Sequence, residues 1–92
     1  MVYPICVIRD AKTQFYPPQC YDSVPAAIRD FSMAVNSAKG AIAFAPGDFD
    51  MYHIGNFDTE KGEIETITPI EQIASGISVA VVSNEKPKSS RS

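Results

Sequence analysis

The chain has 92 residues, and so short a chain forms one domain that buries only about 60 to 65 per cent of its unfolded surface. Hydrophobic residues make up 45% and charged residues 21%, which excludes general disorder, and the net charge of −3 is not that of a protein with a basic surface throughout. No apolar run approaches the ~20 residues of a membrane span, and the N-terminus lacks the regions of a signal peptide, so we expect a soluble cytoplasmic protein with no membrane partner.

The first predicted element is a strand over Tyr3–Arg9. Ile5 and Val7 alternate with Cys6 and Ile8, so both faces of this strand are apolar. This pattern is typical of a central strand that is covered on both sides. The following segment, 10–21, has no periodicity and predicts an ordered loop that leads to a helix.

The second element is a helix between Ser23 and Gly40. Ser23 is a good N-cap, Pro25 falls in the first turn, and Gly40 is a good C-terminal stop. The apolar residues between them follow helical spacing and predict a single buried stripe: Val24, Ala27, Ile28, Phe31, Ala34, Val35 and Ala38. This helix should cover one face of the sheet, with Phe31 as its central anchor.

A short apolar strand, Ala41–Ala45, is predicted next, and a central β-hairpin follows it. Six residues give this hairpin its geometry: Pro46, Asp48, Gly55, Phe57, Asp58 and Gly62. The first two form a corner, Gly55 forms a bulge that changes the face of Phe57, and the last two form a turn. A bulge at Gly55 in the strand Asp50–Phe57 would return Phe57 to the face of Tyr52. The returning strand is predicted over Glu63–Thr68.

The C-terminal part predicts a second, short helix over Pro69–Ser75, because Thr68 and Glu71 form a capping-box pattern. A last edge strand is predicted over Ile77–Val82. The predicted fold class is therefore α+β, a small, mostly antiparallel sheet with one main helix packed on a face. Residues 1–83 carry five Lys/Arg and ten Asp/Glu, whereas 84–92 carry three and one, so we predict one domain over 1–83 and a flexible basic tail over 84–92.

Catalytic and metal-binding patterns are not found in the sequence. The acids near the central strand fit turn capping, and their spacing is not that of an EF-hand. His53 is the only histidine; we expect it to be solvent-facing or partly packed, on the face opposite Tyr52. Cys6 and Cys20 match no metal spacing and are expected to be free thiols. We therefore expect a protein that is not an enzyme, with no catalytic residues, no metal and no cofactor.

A loop after the first strand gives the one pattern that points to a ligand. Arg9, Lys12, Phe15 and Tyr16 place two cations and two aromatic rings within eight residues, and single-stranded nucleic acids are bound by such a combination. The alternative is a solvated loop whose rings pack on the domain, and the acidic body favours that alternative. The full set of predicted nucleic-acid contacts adds one helical residue and the tail: Arg9, Lys12, Phe15, Tyr16, Arg29, Lys86, Lys88 and Arg91.

Residues 3–70 resemble a known phage family. The pattern P-x-D-F-x-x-Y-x-I-G-x-F-D-x-x-x-G over Pro46–Gly62, together with IRD, AAIRDF and AVN, is similar to the non-structural proteins of gokushovirus-type microviruses, which are small phages with single-stranded DNA genomes. Gly47 and Met51 depart from that pattern. The resemblance implies a role in the host cytoplasm in single-stranded genome synthesis and in the delivery of DNA to the procapsid, and it implies no catalytic residues.

Two hypotheses follow. In the first, the protein is a non-enzymatic accessory protein of single-stranded DNA synthesis and packaging that binds DNA or the replication complex. In the second, it is a protein-interaction module that recruits phage or host proteins, such as replication or procapsid proteins, without DNA contact. A homodimer joined through an exposed strand is one form of the second hypothesis, since edge strands have unpaired backbone groups.

Overall fold

The computed structural model describes residues 1–37 and 39–80 as a two-layer α+β domain. Four strands form one antiparallel sheet in the order β2-β1-β3-β4. Their bounds are β1 Val2–Asp10, β2 Gln19–Cys20, β3 Phe49–Asp58 and β4 Glu63–Ser75. The helices are α1 Val24–Val35, α2 Ala41–Phe44 and α3 Gly76–Val79, and a 3₁₀ turn spans Pro46–Asp48. The predicted fold class, with one main helix on a mostly antiparallel sheet, is confirmed.

Strand β1 lies inside the sheet, as predicted, between β2 and β3. Its alternating side chains lie on opposite faces of the sheet, in two different surroundings. Cys6 belongs to the core cluster beneath α1, whereas Ile5 and Val7, which are 7% and 4% exposed, lie on the other face of the sheet. Strand β2, which pairs with Ile5 and Cys6, was not predicted, because two residues are too few to show a period.

Helix α1 begins at the predicted cap. The Ser23 Oγ accepts a hydrogen bond from the Ala26 N–H at 3.1 Å. The helix ends at Val35, earlier than the predicted stop at Gly40. The side-chain amide of Asn36 ends it, because this group donates to the Ser32 carbonyl (2.8 Å) and to the Val79 carbonyl (3.0 Å). Asn36 thus closes α1 and fastens it to α3.

We expect Ser23→Ala to lower the free energy of unfolding by about 1 kcal/mol, because the N–H of Ala26 loses its acceptor. Urea unfolding followed by circular dichroism measures this loss. Ser23→Asn keeps an acceptor at the same position and should remain close to the wild type. Equal losses in the two variants would show that Ser23 does not stabilise α1 by capping.

The hairpin has the predicted geometry. Its corner is the 3₁₀ turn over Pro46–Asp48. In the β1–β3 register, Ile5 pairs with Gly55 and Cys6 with His53, so Ile54 is the inserted residue of a bulge beside Gly55. Tyr3 pairs with Phe57, which places Phe57 on the face of Val7 and Tyr52, as predicted.

The turn that joins β3 to β4 is also confirmed. The Asp58 carboxylate accepts from the N–H of Glu60 at 2.9 Å, and the Asp58 carbonyl accepts from the N–H of Gly62 at 2.8 Å. Gly62 has φ +68°, a left-handed conformation that glycine adopts without a steric cost. Asp58 and Gly62 therefore fix the register of the hairpin.

The predicted strand over Ala41–Ala45 is wrong, because residues 41–44 form α2. Both flanks of β1 are already occupied by β2 and β3, and Ile42 packs on the core cluster from the helical layer. A short apolar run fits a buried helix and a strand equally well.

The second predicted helix, over Pro69–Ser75, is wrong as well. Strand β4 continues through this segment, and its residues pair with β3 as His53↔Glu71 and Met51↔Ala74. Pairing with β3 on both sides of this segment, at Thr66 and again from Glu71, keeps it within β4 and outweighs the local capping pattern. The predicted strand over Ile77–Val82 is replaced at residues 76–79 by α3, whose first turn is capped by Ser75 and Ser78. The last two residues of that predicted strand, and the predicted tail over 84–92, lie outside the described residues.

Candidate functional site

The sheet has one face under α1 and one face that the described helices leave uncovered, which we call the open face. The register assigns its side chains: Tyr3, Phe57 and Ile64 form a row across three strands. Val7 pairs with Tyr52 further along, and Arg9 pairs with Asp50 at the end. Helix α1 instead packs on the face of Cys6 and Met51.

A groove of ≈ 570 Å³ runs across the middle of the open face. Its floor contains Val7 and Ile54, one wall is the loop around Phe15 and Pro18, and the other wall is the segment 66–70 of β4. Among the described residues that line it, none is charged. Ligand pockets commonly have such predominantly apolar linings, so the groove is suited to an apolar or aromatic group.

The β4 wall of the groove results from a break in pairing. The register passes from Gly55↔Thr66 to His53↔Glu71, so residues 67–70 have no partner on β3 and stand out from the sheet. The Thr68–Pro69 peptide bond within this segment is cis. The sequence signal for the break was Pro69, since proline within a strand occurs at edges and bulges.

Arg9 and Phe15, two of the predicted nucleic-acid contacts, lie together at the end of the open face. They form an isolated β-bridge, and the Arg9 guanidinium carbon is 5.9 Å from the centre of the Phe15 ring, a cation–π arrangement. The Phe15 ring meets Tyr52 edge-on with centroids 5.9 Å apart and is 45% exposed. Lys12 lies in the turn between them, where its N–H donates to the Asp10 carboxylate at 2.9 Å.

The remaining predicted contacts do not join this pair. The Tyr16 ring packs edge-on against Phe49, with centroids 6.0 Å apart, and Phe49 belongs to the core beneath α1. Phe15 and Tyr16 therefore do not form one platform, although both border the groove. Arg29 is exposed on α1, in the layer on the other side of the sheet. Lys86, Lys88 and Arg91 lie outside the described residues.

Acidic groups accompany the two cations. Asp50 lies directly opposite Arg9 on β3, Asp10 binds the backbone of Lys12, and the Asp48 carbonyl accepts from the N–H of Ala11 at 2.8 Å, which places Asp48 next to the same turn. These carboxylates lower the positive potential that Arg9 and Lys12 produce. A phosphate bound here would have to contact the cations directly.

His53 lies on the face opposite Tyr52 and is partly packed, both as predicted, with its side chain 14% exposed. Its Nε2 is 3.0 Å from the Asn56 Oδ1, and its Nδ1 is 3.9 Å from a Glu71 carboxylate oxygen. Sequence reasoning identified no polar partner for this histidine, because the bulge at Ile54 changes which side chains share its face. In the described part of the chain, no group of three or more His, Cys, Asp or Glu residues could hold a metal ion.

Both cysteines are free thiols, as predicted. Burial, with a smaller effect of Cys20, raises the pKa of Cys6 to about 11, so this thiol stays protonated and unreactive. Nearby, burial and then the Asp30 carboxylate raise the pKa of Tyr21 to about 12, and the Tyr21 hydroxyl donates to that carboxylate at 3.2 Å. These groups stabilise the junction between β2 and α1.

Comparison with known proteins identifies a family. The family model described as Phage ORF5 protein matches residues 3–79, which include all of the described strands and helices except Val2, the first residue of β1. No curated protein and no solved structure matches the chain. None of the helices formed by residues 1–37 and 39–80 has the length and apolar character needed to span a membrane.

Proposed function

The chain belongs to the phage ORF5 protein family, and we propose that it is a non-enzymatic accessory protein of single-stranded DNA synthesis and packaging in a gokushovirus-type microvirus. It acts in the host cytoplasm by binding DNA or the replication complex. The resemblance of Pro46–Gly62 to that group of phage proteins supports the finer assignment. The family match supports the coarser one, a phage protein.

The observation that carries the proposal is the Arg9–Phe15 pair. An exposed aromatic ring beside a guanidinium group offers a stacking surface for one base and a cation for its phosphate. Paired bases in a duplex are already stacked within the helix, so this arrangement favours single strands. The uncharged groove next to Phe15 gives the stacked base an apolar neighbour.

The electrostatic part of such binding would be small. In the described part of the chain, Arg9 and Lys12 are the two cations at this end of the sheet, and carboxylates lie beside them. Each phosphate neutralised on a single strand contributes about −0.7 to the slope of log K against log salt. Two phosphate contacts thus give a slope of roughly −1.4, and the affinity depends mainly on stacking.

We expect Phe15→Leu to weaken the binding of labelled single-stranded DNA about tenfold, because leucine keeps apolar contact but loses the stacking surface, which is worth about 1–3 kcal/mol per base. Lys12→Gln should reduce the salt slope by about 0.7. Fluorescence anisotropy at low and moderate salt measures both effects. Lys61→Gln is the matched control: Lys61 is exposed in the hairpin turn, at the other end of β3, and its removal should leave affinity and slope unchanged.

Absence of binding at micromolar protein in low salt would exclude direct DNA contact. Equal effects of Lys12→Gln and Lys61→Gln would show that any binding is diffuse and does not use this end of the sheet. Circular dichroism of each variant separates loss of binding from loss of folding.

A second candidate function is a protein-interaction module, and the groove is the observation that favours it. Its lining is uncharged, and the described chain carries twice as many acidic as basic residues. A surface of this kind fits an apolar protein surface better than a polyanion. Phage or host proteins would then be recruited without DNA contact.

A further inference from the structure

Strand β4 separates its acidic and apolar side chains between the two faces of the sheet. Glu63, Glu65 and Glu71 pair with Asp58, Asn56 and His53, on the face of α1. Ile64 pairs with Phe57 on the open face, and Ile67 and Ile70 line the groove on that same face. Ile64 is 65% exposed and Ile70 is 41% exposed, so this edge strand presents isoleucines to solvent on one side only.

We propose that the open face is covered by a second copy of this chain, packed face to face about a two-fold axis, with the β4 isoleucines in the interface. The proposal rests on the second candidate function, binding of a protein partner, and it names that partner. A two-fold dimer uses the same patch on both copies, so each β4 isoleucine would pack against the apolar row or the groove of the partner.

The charges of the open face favour a second copy over a polyanion. The chain has a net charge of −3, so most orientations of two copies bring like charges together. On the open face the assigned charges are Arg9 and Asp50, which lie directly opposite each other and cancel. This face can therefore approach its own copy without net repulsion, and none of the described residues that line the groove is charged.

A dimer of this kind would use more of the open face than the groove. A standard-size interface buries ~800 Å² per partner, so contacts from several strands are needed. The row of Tyr3, Phe57 and Ile64 extends the apolar surface beyond the groove toward the hairpin turn.

Pairing of β4 edge to edge is the less favourable way to join two copies. In a symmetric antiparallel pairing centred on Ile64, Glu63 of one copy would lie opposite Glu65 of the other, and like charges directly opposite each other destabilise a sheet. Packing face to face avoids this repulsion, because the glutamates point away from the partner. The face, not the edge, is therefore the surface that we assign to the dimer.

The experiment compares the oligomeric state of the full chain and of two variants. Sedimentation equilibrium over a range of protein concentrations, without DNA, should give a dimer for the wild type. Ile64→Glu places a charge in the interface and should give a monomer. Met33→Glu is the matched control, since Met33 is 66% exposed on α1, and this variant should stay dimeric.

A wild-type monomer at every concentration would overturn the proposal, and so would a dimer that Met33→Glu disrupts and Ile64→Glu does not. Circular dichroism and thermal unfolding check that Ile64→Glu remains folded. Ile70→Lys, a second variant on the same face, should also give a monomer. Because DNA is absent, the outcome is independent of the DNA titration, and loss of DNA binding would leave the dimer result intact.

Discussion

Phe31→Ala is expected to lower the free energy of unfolding by about 3–5 kcal/mol, which is a large part of the stability of so small a domain. Phe31 is 0% exposed and is among the largest fully buried side chains of the described residues. It lies in one cluster with Met51 and Cys6, so its removal leaves a cavity between α1 and the sheet. Urea unfolding at constant pH measures the loss.

Met33→Ala on the same helix provides the comparison. Met33 is exposed, so its truncation should change the free energy of unfolding by no more than about 0.5 kcal/mol. If Phe31→Ala cost as little as Met33→Ala, α1 could not be the element that closes the core, and the assignment of the two faces of the sheet would have to be revised.

Gly76→Ala is the second substitution with a large expected effect, of about 3 kcal/mol or more, because the added Cβ would overlap the carbonyl oxygen of Pro46. Overpacking against side chains costs typically 1–3 kcal/mol, and here the obstructing atom belongs to the backbone of the 3₁₀ turn and cannot rotate away. The expected structural result is separation of α3 from that turn. Thermal unfolding and the amide exchange rates of residues 76–80 would report it.

Gly47→Ala tests the same contact, between α3 and the 3₁₀ turn, at a residue of the turn. A Cβ at residue 47 would come to 3.4 Å from the Ile77 Cδ1, an ordinary contact with the end of a flexible side chain. We expect a change in the free energy of unfolding well below that of Gly76→Ala. Similar losses for both would indicate that the overlap with Pro46 is relieved by a small shift of α3.

The elements that could be predicted from the sequence carry their own local signals. Ser23 caps α1, Asp58 and Gly62 build the hairpin turn, and the face change between Tyr52 and Phe57 indicates the bulge. In each case the decisive atoms lie within a few residues of one another along the chain. Two local signals misled: the stop at Gly40, since α1 already ends at Val35, and the capping pattern at Thr68–Glu71, which pairing with β3 on both sides outweighs.

The elements that could not be predicted depend on distant partners. Residues 41–44 form a helix whose Ile42 packs on the core from the helical layer, and only the complete topology shows where that layer lies. Asn36 ends α1 early because its amide binds Val79 in a different element.

The candidate site also has a part that could be predicted from the sequence and a part that could not. Arg9 and Phe15 could be grouped from the sequence because they flank one tight turn. The groove could not, since it combines Val7, Ile54 and Ile70 from three strands. Phe15 and Tyr16 are neighbours in the chain, but their rings pack on opposite faces of the sheet. The sequence of the segment 10–21 has no periodicity that would have indicated this.

The central position of β1 has a consequence for how the protein folds as it is made. β1 leaves the ribosome first, but its inner neighbour β3 and the edge strand β4 follow only after α1 and α2 have been synthesised. Until then Ile5 and Val7 have no β3 beside them, so folding is completed after most of the chain has emerged. Until the sheet forms, the apolar side chains of β1 are exposed to solvent, and such surface is prone to aggregation.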